Sequence, residues 1–289
     1  MTTDKKLTIK RLVLFLLFAF VPPWAAQIIY FAVYGAKTDT PWYQIMMMLS
    51  MLFPMIANFL TRFITKEGFQ NNLLKINFKG NVKYYVIAAV LPVICGILTA
   101  VLISLTTMPE GSFSDIIKNL DIWDILTSVI YIVPVSVISI FLGFGEEFGW
   151  RAYLTPKLET LMKSPAAIIL SGIIWGLWHA PAIVIGHNFG TDYDFYPYGG
   201  ILIMCLFCIL IGFYFTTLTK KTSSVYPAAI AHIANNNITG IMINAILLLS
   251  PKYNDSTMSD ISFNIIVTIV TCITVTVTST LIIVLSKKK

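Results

Sequence analysis

The chain has 289 residues, of which 57% are hydrophobic and 12% are charged. Soluble domains carry about 25% charged residues, so this composition excludes an ordinary water-soluble domain. The formal net charge is +6 at pH 7. That charge alone does not separate a nucleic-acid partner from a membrane, because the placement of the basic residues along the chain decides between them.

Apolar segments long enough to cross a bilayer dominate the chain. A spanning helix needs about 20 mainly apolar residues, because the hydrocarbon core is about 30 Å thick. Eight such segments are predicted, at residues 12–34, 42–61, 84–106, 122–146, 166–186, 200–218, 226–249 and 262–285. The runs are too long and too continuous for the alternating strands of a membrane barrel. The sequence therefore predicts an all-α, polytopic membrane protein of about eight transmembrane helices.

Most basic residues fall on one side of these spans. With the amino terminus placed in the cytoplasm, the cytoplasmic segments contain Lys5, Lys6, Lys10, Arg11, Arg62, Lys66, Lys75, Lys79, Lys83, Arg151, Lys157, Lys163, Lys220, Lys221, Lys287, Lys288 and Lys289. The external segments contain only Lys37, Lys118 and Lys252. This is the positive-inside pattern. It predicts a multi-pass protein of the cell membrane with both termini cytoplasmic, in contact with anionic lipid and without a nucleic-acid partner.

Residues 1–289 are predicted to form a single integral membrane domain, since no soluble domain or repeat is evident. The segments 61–83 and 108–121 mix charged and apolar residues, as interfacial segments do. Cysteines occur only inside predicted spans, at Cys95, Cys205, Cys208 and Cys272. The C-x-x-C pair lacks a second pair or a nearby histidine, so we interpret it as core packing.

The fourth predicted span ends in two adjacent carboxylates. Ionisable groups cost about 2.5–3.5 kcal/mol at the centre of a membrane helix, so each is a functional candidate. Glu147 and Arg151 are four residues apart, so they share a helix face and can pair. Glu146 is rotated by about 100° and is free to face a cavity as a general base. The alternative is that these groups reach water at the end of the helix.

The fifth and seventh predicted spans each carry a histidine. Trp175 and His179 share a face by the four-residue spacing, as do His232 and Asn236. The second pair offers two neutral hydrogen-bond donors to an oxygen that gains charge. The alternatives are a hydrogen-bonded core histidine and polar contacts between helices. We interpret His187 as an interfacial residue at a helix end.

The predicted topology allows these clusters to meet. Glu146 is expected at the inner end of its helix, and His232 and His179 about two to three turns past the inner boundary of theirs. A carboxylate, two histidines and an amide then share the cytoplasmic half of one low-dielectric pocket. Such groups fit the activation of water and the stabilisation of an oxyanion, which peptide-bond hydrolysis requires.

With these motifs the sequence resembles the CPBP family, which comprises intramembrane proteases related to type II CAAX prenyl endopeptidases and to bacteriocin-processing and immunity proteins. The family's motifs are E-E-x-x-x-R, F-x-x-x-H and H-x-x-x-N, and their counterparts here follow in the same order within residues 142–240, the expected catalytic core. Two positions depart from the family pattern. Trp175 replaces a phenylalanine, and Ala152 stands where a glycine commonly follows the arginine. Both are expected to lie outside the groups that contact the substrate, with Trp175 narrowing the pocket.

The resemblance implies a role for each matching residue. Glu146 and His179 would activate the water, and His232 and Asn236 would form the oxyanion hole. The residues that would support them are Glu147, Arg151 and Trp175.

The resemblance leaves the use of a metal open, because the family is described both as metalloproteases and as glutamate-dependent enzymes. Glu146, His179 and His232 could supply the three ligands of an open zinc site. No H-E-x-x-H helix is present, however. No cofactor is therefore preferred, and zinc is the alternative.

An intramembrane endopeptidase that acts on a peptide or membrane protein is the function predicted from the sequence. The main alternative is a catalytically silent membrane scaffold of the same fold, which would bind a partner enzyme or peptide. A transporter is a third possibility, but the paired broken helices of such proteins are not evident. A prenylated tail, a pheromone or bacteriocin precursor and another membrane protein remain open as substrates.

Overall fold

The structure is a computed structural model that describes residues 3–107 and 122–249. Every regular element in these ranges is helical. The elements are α1 (Thr3–Tyr34), α2 (Pro41–Ser50), α3 (Phe53–Ile64), α4 (Val82–Thr107), α5 (Ile122–Gly149), a π-helical segment (Trp150–Leu154), α6 (Thr155–Glu159), α7 (Ser164–Trp178), α8 (Ala180–Ile185), α9 (Tyr198–Thr222) and α10 (Tyr226–Leu249). The all-α prediction is confirmed for this part of the chain. The predicted span at 262–285 and the predicted interfacial segment at 108–121 lie outside it.

Four stretches of the described chain are long and apolar enough to cross a membrane. They are Asp4–Tyr34, Pro41–Ile64, Ser164–Ile185 and Tyr198–Thr222. Large apolar side chains project from them, such as Phe63, which is 80% exposed, and Leu202, which is 63% exposed. Lipid tails would cover such surfaces. The chain is therefore a multi-pass membrane protein, whereas the total of eight spans and the cytoplasmic position of both termini stay predictions.

Helices α7 and α9 come very close together at two glycines of α7. A Cβ atom on Gly172 would lie 2.5 Å from Cα of Ile209, and one on Gly176 would lie closer still to Cα of Cys205. Only a residue without a side chain fits at such distances. The small residues of α7 thus allow the two helices to approach closely.

Helix α1 is joined to the central helices by aromatic contacts. The buried ring of Phe15 lies 5.8 Å from that of Trp150 and 5.1 Å from that of Tyr153, between centroids. The indole N–H of Trp178 donates to the carbonyl of Ala19 at 2.9 Å. These contacts place the main apolar core between α1, the π-helical segment and α7.

Further helical turns follow the acidic pair, although α5 itself ends at Gly149, so the helical path does not stop in this region as the sequence predicted. The chain continues from α5 through the π-helical segment into α6, which ends at Glu159. At a rise of about 1.5 Å per residue, Glu146 lies roughly 20 Å before that end. Asn58 of α3 donates from Nδ2 to the carbonyl of Phe148 at 2.8 Å. The pair is therefore enclosed by helices rather than placed where side chains reach water easily.

His179 alone separates α7 from α8. Pro181 has no N–H to give to the carbonyl of Leu177, and its ring disfavours a continuous helix. At the break, the N–H of His179 bonds the carbonyl of Gly176 at 3.1 Å, three residues back. The carbonyl of Trp175, which an unbroken α-helix would pair with this N–H, accepts a different donor.

Candidate active site

Glu146 is buried and accepts hydrogen bonds from two tryptophans. Its side chain is 3% exposed. The indole N–H of Trp175 donates to Oε2 at 2.7 Å, and that of Trp150 donates to the same oxygen at 3.3 Å. Since both bonds go to Oε2, Oε1 is the oxygen that can meet a water molecule or a substrate.

The ring of His179 is oriented by the backbone of its own helix. Its Nδ1 lies 2.9 Å from the carbonyl oxygen of Trp175. A carbonyl only accepts hydrogen bonds, so Nδ1 carries the proton in this contact. In the neutral ring, Nε2 then has the lone pair. The break after α7 is the reason for this arrangement, because it leaves that carbonyl to the side chain.

Glu147 links two basic groups on different helices. Its Oε1 lies 2.8 Å from Nδ1 of His232 on α10, and its Oε2 lies 3.1 Å from Nε of Arg151. The three side chains are buried, with Glu147 fully inaccessible. The expected pair of Glu147 and Arg151 is therefore present, and the contact with His232 adds a bond that spacing along one helix does not predict.

Trp175 makes direct contacts with the other groups of the site. The guanidinium carbon of Arg151 lies 4.1 Å from the centroid of the Trp175 ring, a cation–π distance. The rings of His179 and His232 lie 6.1 Å and 5.5 Å from the same centroid. Together with its bond to Glu146, these contacts join Trp175 directly to the other groups of the site.

Asn236 lies one turn beyond His232 on α10. Its side chain is exposed, whereas that of Asn235 is buried and donates to Oδ1 of Asn236 at 3.5 Å. Glu146, Glu147, Arg151, Trp175, His179 and His232 thus form one contact cluster. Asn236 lies four residues after His232 on α10 and so shares a helix face with that histidine of the cluster.

His187 lies just after the end of α8 and stacks beside His179. Its ring is parallel to that of His179, with centroids 6.4 Å apart, and its Nδ1 lies 2.8 Å from the hydroxyl of Tyr43. Burial lowers the pKa of His187 to about 4, so the ring is neutral at pH 7. The separation of eight positions between the two histidines, about two helical turns, was the signal for this contact in the sequence.

A metal centre is not supported by the side chains in residues 3–107 and 122–249. No three His, Cys, Asp or Glu side chains in these ranges converge in a way that could hold one ion. The zinc set considered from the sequence, Glu146, His179 and His232, is therefore not supported by the described residues, and neither is a metalloprotease-like classification. The mechanism proposed below uses no metal, and the preference for metal-free catalysis stays a prediction.

The fold and the site define a helical membrane protein with ionisable groups enclosed by its helices. The family model described as type II CAAX prenyl endopeptidase Rce1-like matches residues 127–238, which include every residue of the contact cluster. Over these residues the chain is similar to this family. It is also 30% identical over 145 residues to CAAX prenyl protease 2 of Methanococcus maripaludis. That alignment covers 49% of this chain and 53% of the relative, so the chain spans about half the length of the curated protein it matches.

Proposed function

We propose that the protein is an intramembrane endopeptidase that cleaves a membrane-associated peptide or protein at the cytoplasmic side. The buried carboxylate of Glu146, which has one oxygen fixed by two indoles, is the observation that carries the proposal. A carboxylate inside a membrane protein is costly, so its presence favours a chemical role. The match to an endopeptidase family and the name of the relative support the same class of reaction.

Glu146 and His179 activate the attacking water in this proposal. The water bonds to the carbonyl carbon of the substrate as its proton passes to Oε1 of Glu146. Nε2 of His179 accepts a hydrogen bond from the other O–H of the water, whose hydrogen stays on the oxygen, because the lone pair of Nε2 is available. Glu146 then returns the proton to the leaving nitrogen as the C–N bond breaks.

His232 and Asn236 stabilise the oxyanion that forms between these steps. Because Nδ1 of His232 faces Glu147, a bond to the oxyanion must come from Nε2–H. A ring with protons on both nitrogens is an imidazolium, so we assign the charged form in place of the neutral donor expected from the sequence. Glu147 provides the counter-charge, and the amide of Asn236 is the second donor.

Cleavage by the purified protein tests the proposal. The full chain in proteoliposomes is incubated with a prenylated C-terminal peptide, the same peptide without lipid and a hydrophobic precursor peptide, and products are identified by mass spectrometry. Glu146→Ala and His179→Ala should abolish cleavage and leave the chain folded. Glu159→Ala is the matched carboxylate control, because Glu159 pairs with the half-exposed Lys220 at the surface.

Three outcomes separate the candidate functions. Cleavage that depends on Glu146 and His179 supports the endopeptidase, and the preferred peptide identifies the substrate class. Cleavage that persists in Glu146→Ala contradicts the assignment of the residue. Peptide binding without cleavage by any of the chains favours the silent scaffold.

A further inference from the structure

The indole N–H of Trp175 makes the shorter of the two hydrogen bonds to Glu146, 2.7 Å against 3.3 Å for that of Trp150. Trp175 is 3% exposed, so water does not compete readily for this bond. The phenylalanine that the CPBP pattern has at this position offers a ring but no donor. The departure at this position therefore adds a bond to the proposed general base.

We propose that Trp175 is a positioning residue for Glu146, an inference that rests on the proposed function. A carboxylate has two equivalent oxygens and a terminal torsion with broad minima, so an unrestrained Glu146 would sample several orientations. The bond from Trp175 fixes Oε2 on the side of α7. Oε1 is then held ready to accept the proton of the water.

The contacts of the indole explain why its orientation is fixed in turn. The guanidinium carbon of Arg151 lies over the Trp175 ring, 4.1 Å from its centroid. The ring of Phe215 lies 6.2 Å from it, between centroids. Arg151 is itself held by Glu147. The bond to Glu146 thus belongs to a chain of contacts in which each side chain restrains the next.

Trp175→Phe tests the inference because it removes the N–H, keeps an aromatic ring and installs the family residue. Trp24→Phe is the matched control: it loses an indole bond of 3.0 Å that goes to the carbonyl of Trp178 and not to Glu146. A hydrogen bond to a charged group predicts a fall in kcat of about 10- to 100-fold for Trp175→Phe, with KM within about twofold. Trp24→Phe should keep kcat within about twofold.

The second donor, Trp150, gives an independent check through a single and a double variant. Trp150→Phe should lower kcat less than Trp175→Phe, because its bond is longer. The double variant should lose more activity than either, since Oε2 then has neither donor. If Oε2 accepted equally well from either indole, the two single variants would lose equal kcat. That result would count against Trp175 as the main restraint.

A nuclear magnetic resonance measurement separates failure of the inference from failure of the proposed function. In chains labelled with [15N]tryptophan, the signal that disappears in Trp175→Phe is the indole of Trp175. Glu146→Gln should shift that signal more than the signal of Trp24. Normal kcat in Trp175→Phe, beside an inactive Glu146→Ala, would overturn the positioning role and leave the protease intact. Cleavage that does not require Glu146 would overturn both, whatever the indole signal does.

Discussion

Nδ1 of His232 lies 2.8 Å from Oε1 of Glu147, a contact between residues 85 positions apart in the chain. The same carboxylate faces Arg151 with its other oxygen. The buried carboxylate of Glu147 therefore interacts with both the guanidinium of Arg151 and the imidazole ring of His232. In the proposed mechanism, this charge is what allows His232 to carry a proton on Nε2.

Glu147→Gln should separate charge from geometry at this contact. The glutamine oxygen can still accept the Nδ1–H of His232, but it cannot balance a second proton on the ring. We expect kcat to fall by about 10²- to 10³-fold, the usual cost of losing one oxyanion donor. Glu159→Gln, at the surface, should keep wild-type kcat in the same cleavage assay. A Glu147→Gln enzyme within threefold of the wild type would show that His232 acts as a neutral ring.

Arg151→Ala should lower stability as well as activity. The pair with Glu147 has exposed side-chain fractions of 2% and 0%, so the variant leaves a buried carboxylate without its arginine. Breaking such a pair costs about 3–5 kcal/mol. Thermal unfolding in detergent should show a clear fall in Tm. Lys220→Ala provides the comparison, because its pair with Glu159 is exposed and contributes about 0–1 kcal/mol. Equal Tm values for the two variants would contradict the buried pair.

Acid should weaken the contacts around Glu67, beyond the end of α3. Arg11, Arg62, Lys157 and Tyr153 all face its carboxylate. Burial alone would raise the pKa of Glu67, but the bonds from Lys157 and Tyr153 and the charges nearby lower it below the usual value. The stabilisation is therefore present above the unfolded pKa of about 4.3 and is lost as pH falls through the lower folded pKa.

The measurement is Tm against pH for the wild type and Glu67→Gln. The variant should melt at a lower temperature at pH 7, and the difference should shrink below about pH 4. A difference that stays constant down to the acid limit would show that Glu67 contributes packing rather than charge.

Gly172→Ala should destabilise the contact between α7 and α9. The added methyl would lie 2.5 Å from Cα of Ile209, and backbone cannot move aside as a flexible side chain can. Overpacking of this kind costs about 1–3 kcal/mol. Gly199→Ala is the control, because its methyl would meet Cε2 of Tyr193 at an ordinary 3.5 Å. The two variants are compared by thermal unfolding, and an unchanged Tm for Gly172→Ala would mean that the helices can separate.

Contacts within one helix were accessible from the sequence, because helical spacing is regular. The pair of Glu147 with Arg151 and the shared face of Trp175 and His179 follow from four-residue intervals. Contacts between helices were not. The bond from Trp175 to Glu146 depends on how α5 and α7 are rotated about their axes, which composition and periodicity leave undetermined.

The helix boundaries, too, were predicted from the sequence only in part. Pro181 is a readable signal for the break that gives His179 its backbone partner. The continuation of α5 past the acidic pair was missed, since Glu146, Glu147 and Arg151 together resemble the polar end of a membrane span. What keeps them inside is a set of partners on other helices, among them Trp175 and His232.

The π-helical segment Trp150–Leu154 has a consequence for comparing chains of unequal length. Its hydrogen bond from the N–H of Thr155 to the carbonyl of Trp150 encloses one residue more than an α-helical turn does. A relative that lacks one residue after Arg151 could close this turn as ordinary α-helix and keep the interval from Glu147 to Arg151. A single-residue gap in an alignment at this point is therefore compatible with an intact site. A gap between Glu147 and Arg151 would instead rotate the arginine off the shared face and away from its carboxylate.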